Sequence, residues 1–168
     1  MQSSHLTRNP NRRTFLKTVA TLGAAVSAVE FPGVARAQNL AAEIDVGLIG
    51  VGVRGYELHE ELRRCKGVRV GGISDLSEHY FDRIKPRLQS PQTPLHYDYR
   101  RLLEDREIDA IIIASPDHWH APMTLDALAA SKDAYIEKPL TYSLEEAVQV
   151  RNKARETGRV TQVGYQRR

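Results

Sequence analysis

A doubly wound α/β domain built on a parallel sheet is the fold class this sequence predicts, and three observations predict it. The first is the stretch from Ile44 to Asp75, where a short apolar segment, Val46 to Ile49, runs straight into Gly50-Val51-Gly52-Val53-Arg54-Gly55. The second is the alternation of short apolar runs with helical patterns through the rest of the chain. The third is Ala110 to Ala114, a continuous apolar run that suits a strand buried on both faces of a parallel sheet.

After the glycine turn a helical pattern carries Leu58, Leu62 and Cys65 on one face, which makes Cys65 a small core residue on that helix. Val68, Val70 and Ile73 then form a second strand ending on Asp75, 20 residues beyond Gly55. Strand, turn, helix and terminal acid together are the parts of a dinucleotide-binding unit, the Rossmann arrangement. Gly50 permits the tight turn and Gly52 lets a pyrophosphate approach the backbone. Gly55 allows close packing of helix on strand, so that the helix N-terminus, with Val53 and Arg54, faces the anion. The Asp75 carboxylate is placed to accept hydrogen bonds from the adenosine ribose hydroxyls. It would repel a 2′-phosphate, so NAD is the expected cofactor and NADP the less favoured one; Arg54 softens that preference only if it reaches the ribose side.

With 168 residues the chain holds one domain of ordinary size. Its formal charge of +3 is misleading, because five of the 24 Lys and Arg but one of the 21 acids fall in residues 1–37, leaving 19 cations against 20 acids. No basic patch points to nucleic acid or to an anionic membrane. A single cysteine rules out an intrachain disulfide, a CxxC pair and a cysteine zinc cluster.

The N-terminus orders a basic segment (Arg12-Arg13-Thr14-Phe15-Leu16-Lys17), an apolar run from Thr18 to Phe31 and the small-residue segment Ala35-Arg36-Ala37. It resembles a twin-arginine export signal. Residues 1–37 are therefore expected to be a leader and residues 38–168 the mature, exported or periplasmic domain, with no membrane association after cleavage.

Beyond Asp75, Ser77 is the expected cap of a helix carrying Phe81, Ile84 and Leu88, broken by the segment from Ser90 to Pro94. Leu95 to Tyr97 reads as a short strand, and Asp98 as the cap of a brief helix through Leu102 and Leu103. The apolar run to Ala114 is closed by Ser115-Pro116-Asp117, and Met123, Leu125, Leu128 and Ala129 mark the next helix. Ala134 to Ile136 is a strand leading into Glu137-Lys138-Pro139. Ser143 and Glu146 form a capping box, the helix behind it has Leu144, Ala147, Val148 and Ala154 as its buried stripe, and Gly158 ends it. Val160 to Val163 is the last strand.

In such a sheet the loops after Asp75, Ala114 and Ile136 converge on one crevice. They bring Ser115-Pro116-Asp117-His118-Trp119-His120 and Glu137-Lys138-Pro139 beside the expected cofactor, and Lys138 is able to donate a proton or hydrogen bond to a substrate oxygen. Asp117 can equally cap the helix behind it, and Trp119 can pack under the loop. Two histidines at His118 and His120 without further ligands predict no metal site.

At these motifs the chain resembles the glucose-fructose oxidoreductase and inositol dehydrogenase family (Gfo/Idh/MocA). The likeness extends over the glycine turn, Asp75, Asp98-Tyr99-Arg100-Arg101-Leu102-Leu103, SPDHWH, EKP and the terminal Val163-Gly164-Tyr165-Gln166-Arg167-Arg168. The resemblance implies that Lys138 is the catalytic or substrate-orienting lysine and that its peptide bond to Pro139 is cis. It also implies that Ser115, Pro116, Asp117 and His120, with Glu137 and Gln162, lie along the nicotinamide half of the cofactor. Members of the family continue into a C-terminal α/β domain, and on this sequence that domain is expected to be absent after the sixth strand. Two function classes follow: an NAD-dependent oxidoreductase acting by hydride transfer on a sugar, polyol or related hydroxyl compound, or an exported NAD-binding module without catalysis of its own, alone or serving a separately encoded substrate domain. A fragment of an NAD-dependent glycosidase is a third outcome of the same resemblance.

Overall fold

The computed structural model describes residues 43–165. The leader expected in residues 1–37 and the last residues of the terminal motif lie outside them.

Six strands form one sheet: β1 (Ile44–Ile49), β2 (Val68–Ser74), β3 (Leu95–His96), β4 (Ala110–Ile113), β5 (Asp133–Glu137) and β6 (Thr161–Gly164), in the order β3-β2-β1-β4-β5-β6. Every neighbouring pair is parallel. The connections are α1 (Val53–Leu62), α2 (Glu78–Ile84), α3 (Arg100–Glu104), α4 (His120–Ala129) and α5 (Leu144–Thr157), with 3-10 turns at Lys85–Arg87 and Asp117–Trp119. The chain winds outward from β1 to one edge, returns to β4 and winds to the other. The carboxyl ends of β1 and β4 are thus the point where the winding reverses and a crevice opens.

Period-two burial explains the sheet. Ile49, Ile111, Ile113 and Ile136 face one core together with Leu102 and Ile108, while Leu48, Ile73 and Ile112 face the other with Phe81 and Ile84. Both faces of β4 are covered, as its unbroken apolar run requires.

Four local expectations shift. Helix α1 ends at Leu62, so Cys65 lies in the following turn and is exposed; the face buried by α1 is Gly55 and His59, with Leu58 and Leu62 half-buried at its margins. Helix α2 ends at Ile84 because Pro86, which has no N–H to give, forces a 3-10 turn, and Leu88 packs on the core from beyond it. Ser77 stands at the N-cap of α2 but its hydroxyl makes no capping bond. In α5 the capping box of Ser143 and Glu146 and the left-handed Gly158 are as read, but the helix is rotated: Val150 is its buried residue, while Leu144 and Val148 are 76% and 39% exposed. The inward face runs through Ala147, Val150 and Ala154, small side chains that allow close approach to α4.

Candidate functional site

The glycine turn is tied to the sheet on both sides. Gly50 N–H donates to Ser74 O (2.8 Å) and Ala114 N–H to Ile49 O (2.8 Å). The three glycines do different work. Gly50 has φ +84°, and a Cβ there would lie 2.7 Å from Ala114 O. At Gly55 a Cβ would fall 1.8 Å from Gly50 O, so helix and turn touch through backbone alone. Gly52 is unlike both: a Cβ built on it meets nothing nearer than the Tyr80 ring at 3.8 Å. The fold leaves room for a side chain at Gly52, and that room opens into the crevice.

Asp75 follows the last residue of β2. Its Oδ2 accepts from Val51 N–H (2.8 Å) and its Oδ1 from Ser77 N–H (2.9 Å). One carboxylate therefore fixes the glycine turn, starts the loop after β2 and keeps further lone pairs on the crevice side. Tyr56 is the first residue of α1 to close a helical bond, onto Gly52 O (3.0 Å). The N–H groups of Val53, Arg54 and Gly55 before it form the open, partly positive helix end.

The crevice has a volume of about 670 Å³. Of the residues singled out in the sequence, Gly50, Gly52, Asp75, Ser115 and Pro116 line it. Its outer wall was legible only in part: Trp119 and Arg100 fall in motifs read from the sequence, while Leu76, Tyr80 and Tyr97, which with them close the side beyond Asp75, do not. Tyr99, also on that wall, donates its hydroxyl to Asp126 of α4 (2.6 Å), and burial together with that carboxylate pushes its pKa up to about 12. For the rest of the wall, the pair of tyrosines flanking Asp98, directly after a strand end, is the signal in the sequence.

Arg54, His120, Glu137 and Lys138 gather at the carboxyl end of β5. Glu137 is 4% exposed, and its Oε1 accepts from Arg54 Nε at 2.6 Å. Arg54 also holds Glu57 (2.9 Å). Burial alone would lower the Arg54 pKa; its hydrogen bonds to Glu137 and Glu57 outweigh that and raise it. The guanidinium is thus committed to β5 and not to the ribose side of Asp75. Burial and Glu137 raise the Tyr135 pKa beside the same pair. The Lys138–Pro139 peptide is cis, and Lys138 is exposed.

His120 is 1% exposed, with Nδ1 2.6 Å from Pro139 O and Nε2 2.9 Å from Ser115 O, so the ring joins the loops after β4 and β5 from behind. His118 is exposed and leans on Trp119. Among the described residues no group of three or more His, Cys, Asp or Glu converges as a metal site would require. Asp117 opens the 3-10 turn before α4 and is exposed. Gln162 pairs with Tyr135, two residues short of the strand end, and its amide donates to Val163 O (2.9 Å).

His59, not singled out from the sequence, is wholly buried on α1, and neither ring nitrogen has a hydrogen-bond partner. Burial lowers its pKa from the ordinary 6.5, and the Glu60 carboxylate 3.8 Å away offsets only part of this. Since the unfolded chain then binds the proton more readily, this contribution to stability is complete above about pH 6.5 and is lost as the pH falls below it. His59→Leu is expected to shrink the drop in thermal midpoint between pH 7.5 and pH 5.5; an unchanged drop would remove His59 as its source.

Comparison with known proteins adds the lineage. Residues 44–165, more than half of the chain, match the model of an oxidoreductase family described as having an NAD-binding Rossmann fold, GFO_IDH_MocA. An alpha-N-acetylgalactosaminidase of Shewanella oneidensis is 31% identical over 173 residues, covering 89% of this chain and 38% of that protein. A solved NAD binding oxidoreductase from Klebsiella pneumoniae is 30% identical with a TM-score of 0.66, over 73% of this chain and 34% of the other. The scyllo-inositol dehydrogenase of Lactobacillus casei, 22% identical, shares the fold with a TM-score of 0.70 over 76% of this chain and 38% of its own. The chain thus spans little more than a third of the length of these relatives. With the glycine turn, the terminal acid of β2 and the Glu-Lys-Pro turn all in place, the chain belongs to the Gfo/Idh/MocA oxidoreductase family, as its NAD-binding Rossmann domain.

Proposed function

We propose that this domain binds NAD in preference to NADP and serves an enzyme that oxidises or reduces a sugar, polyol or related hydroxyl compound. The observation that carries the reading is Gly52: the fold has space for a side chain there, yet the position is glycine and opens on a crevice bounded by a carboxylate and an open helix N-terminus. A pyrophosphate against that backbone accounts for the missing side chain. Gly52, Val53, Arg54 and Gly55 would hold the pyrophosphate through their backbone, Asp75 the adenosine ribose, and Ser115 and Pro116 the wall toward the nicotinamide. When bound, the nicotinamide supplies a hydride donor or acceptor. Lys138 would hold or release a proton at Nζ, at the oxygen of the reacting carbon.

Titration calorimetry tests the reading, with one NAD expected per chain and NADP at least about tenfold weaker, near 1.4 kcal/mol. No binding of either dinucleotide would end it. The second reading is NAD-dependent glycoside cleavage, favoured by the activity for which the Shewanella relative is named. In an enzyme that carries this domain, sugar release without net NADH formation would select it, net NADH formation would select the dehydrogenase, and Lys138→Ala is expected to suppress either. We also propose twin-arginine export of residues 38–168, for which the mature N-terminus should read from Gln38.

A further inference from the structure

We propose that Glu137 is a positioning residue for Lys138 and that Arg54 is its structural partner. This rests on the functional reading above, in which Lys138 is the group that meets the reacting oxygen, and it adds how that lysine is held.

Lys138 occupies a turn that is fixed on each flank and free only at the lysine itself. Before it, the buried Glu137 carboxylate uses both oxygens: Oε1 accepts from Arg54 Nε at 2.6 Å, and Oε2 accepts from the Lys138 backbone N–H at 3.2 Å. After it, Pro139 O lies 2.6 Å from the buried His120 ring, which also faces Ser115 O on the crevice wall. Gly164 of β6 closes the third side, where a Cβ would lie 3.1 Å from Glu137 Oε1 and 2.2 Å from the Tyr135 hydroxyl. By contrast the Lys138 ammonium is exposed and has no hydrogen-bond or ion-pair partner among the described residues.

A buried carboxylate is costly unless paired, and here its pairing spans 83 positions of sequence from the first turn of α1 to the end of β5. Arg54 stands directly behind the glycine turn, so the peptide groups offered to a pyrophosphate and the peptide that carries Lys138 belong to one hydrogen-bonded unit. Such a link sets the distance between the two ends of an extended ligand. A displacement of about 1 Å at the lysine would be enough to impair proton transfer. Arg54 then contributes its side chain to this link while its backbone serves the anion.

The test reads Lys138 directly in the full chain. Lysines are reductively dimethylated with ¹³C, which keeps their charge, and the Lys138 signal is assigned by its loss in Lys138→Arg. In the wild type this signal is expected to stand apart from the freely rotating lysines and to shift when NAD is added. In Glu137→Gln and in Arg54→Met it is expected to lie with the free lysines and to lose its response at NAD concentrations that calorimetry on the same variant shows to be saturating. Arg54→Lys, which keeps a cation beside Glu137, is expected to restore part of the response. A Lys138 signal that shifts with NAD equally in the wild type, Glu137→Gln and Arg54→Met overturns the proposal, as does a wild-type signal that NAD leaves unmoved. Failure of the wild type to bind NAD at all would instead overturn the functional reading. Where Glu137→Gln does not fold, Arg54→Met and Arg54→Lys decide the question alone.

Discussion

Gly52→Ala is expected to leave the thermal midpoint of the domain close to that of the wild type and to weaken NAD by about a hundredfold, roughly 2.8 kcal/mol, whereas Gly55→Ala is expected to destroy both properties. The two glycines stand three positions apart in one turn, and the difference is one of neighbours. A methyl at Gly52 has the Tyr80 ring 3.8 Å away, an ordinary contact. A methyl at Gly55 would sit 1.8 Å from Gly50 O, a backbone atom of the turn that is tied to β2 and β4. Relief there requires moving the whole turn or lifting α1 off the sheet, at a cost of about 3 kcal/mol or more. Calorimetric NAD titration and thermal unfolding on the same two variants check this. If Gly52→Ala unfolds as early as Gly55→Ala, Gly52 is a glycine of the fold and the case for a pyrophosphate at that position disappears. If it folds and still binds NAD at full strength, the pyrophosphate lies elsewhere.

Asp75→Ala is expected to lower stability by about 2 kcal/mol and, independently, to weaken NAD and narrow its advantage over NADP. The stability loss follows from the two backbone donors that share the carboxylate, Val51 N–H at 2.8 Å and Ser77 N–H at 2.9 Å. Val51 is fully buried, so its N–H would be left without a replacement acceptor. Asp75→Asn should fall between, because an amide offers one oxygen to two donors and turns an NH₂ toward the other. Chemical denaturation gives the first quantity and paired titrations with NAD and NADP the second. Equal affinity of the wild type for the two cofactors would take away the discriminating role of Asp75, and unchanged stability in Asp75→Ala would show that the turn holds itself.

What could be read in advance was what is decided within a few residues. The glycine turn, the two-sided burial of Ile111 to Ile113 and the capping box of Ser143 and Glu146 are local, and the structure has all three. The facing of α5 was legible only in part: Ala147 and Ala154 turn inward as read, but Leu144 and Val148, the larger side chains that dominate the helical pattern, do not, because close approach to α4 selects the smaller face through Ala147, Val150 and Ala154. Cys65 fitted the periodicity of α1, yet the helix ends at Leu62 before that position is reached. At the site, Gly50, Gly52, Asp75, Ser115 and Pro116 came together as expected because topology alone brings strand ends to one place. Arg54 meeting Glu137 was invisible, since nothing near either residue marks a partner 83 positions away.

The unequal crowding of the glycines also leaves an evolutionary signature. Gly50 is shaped by Ala114 O, and a Cβ at Gly55 would lie 3.5 Å from the Ala114 Cβ, so positions 50, 55 and 114 can drift only as a set that preserves the join between the two halves of the sheet. Position 52 is under no such architectural constraint. A descendant released from selection for dinucleotide binding would therefore keep small residues at 50, 55 and 114 for as long as it folds, and would accumulate side chains first at 52.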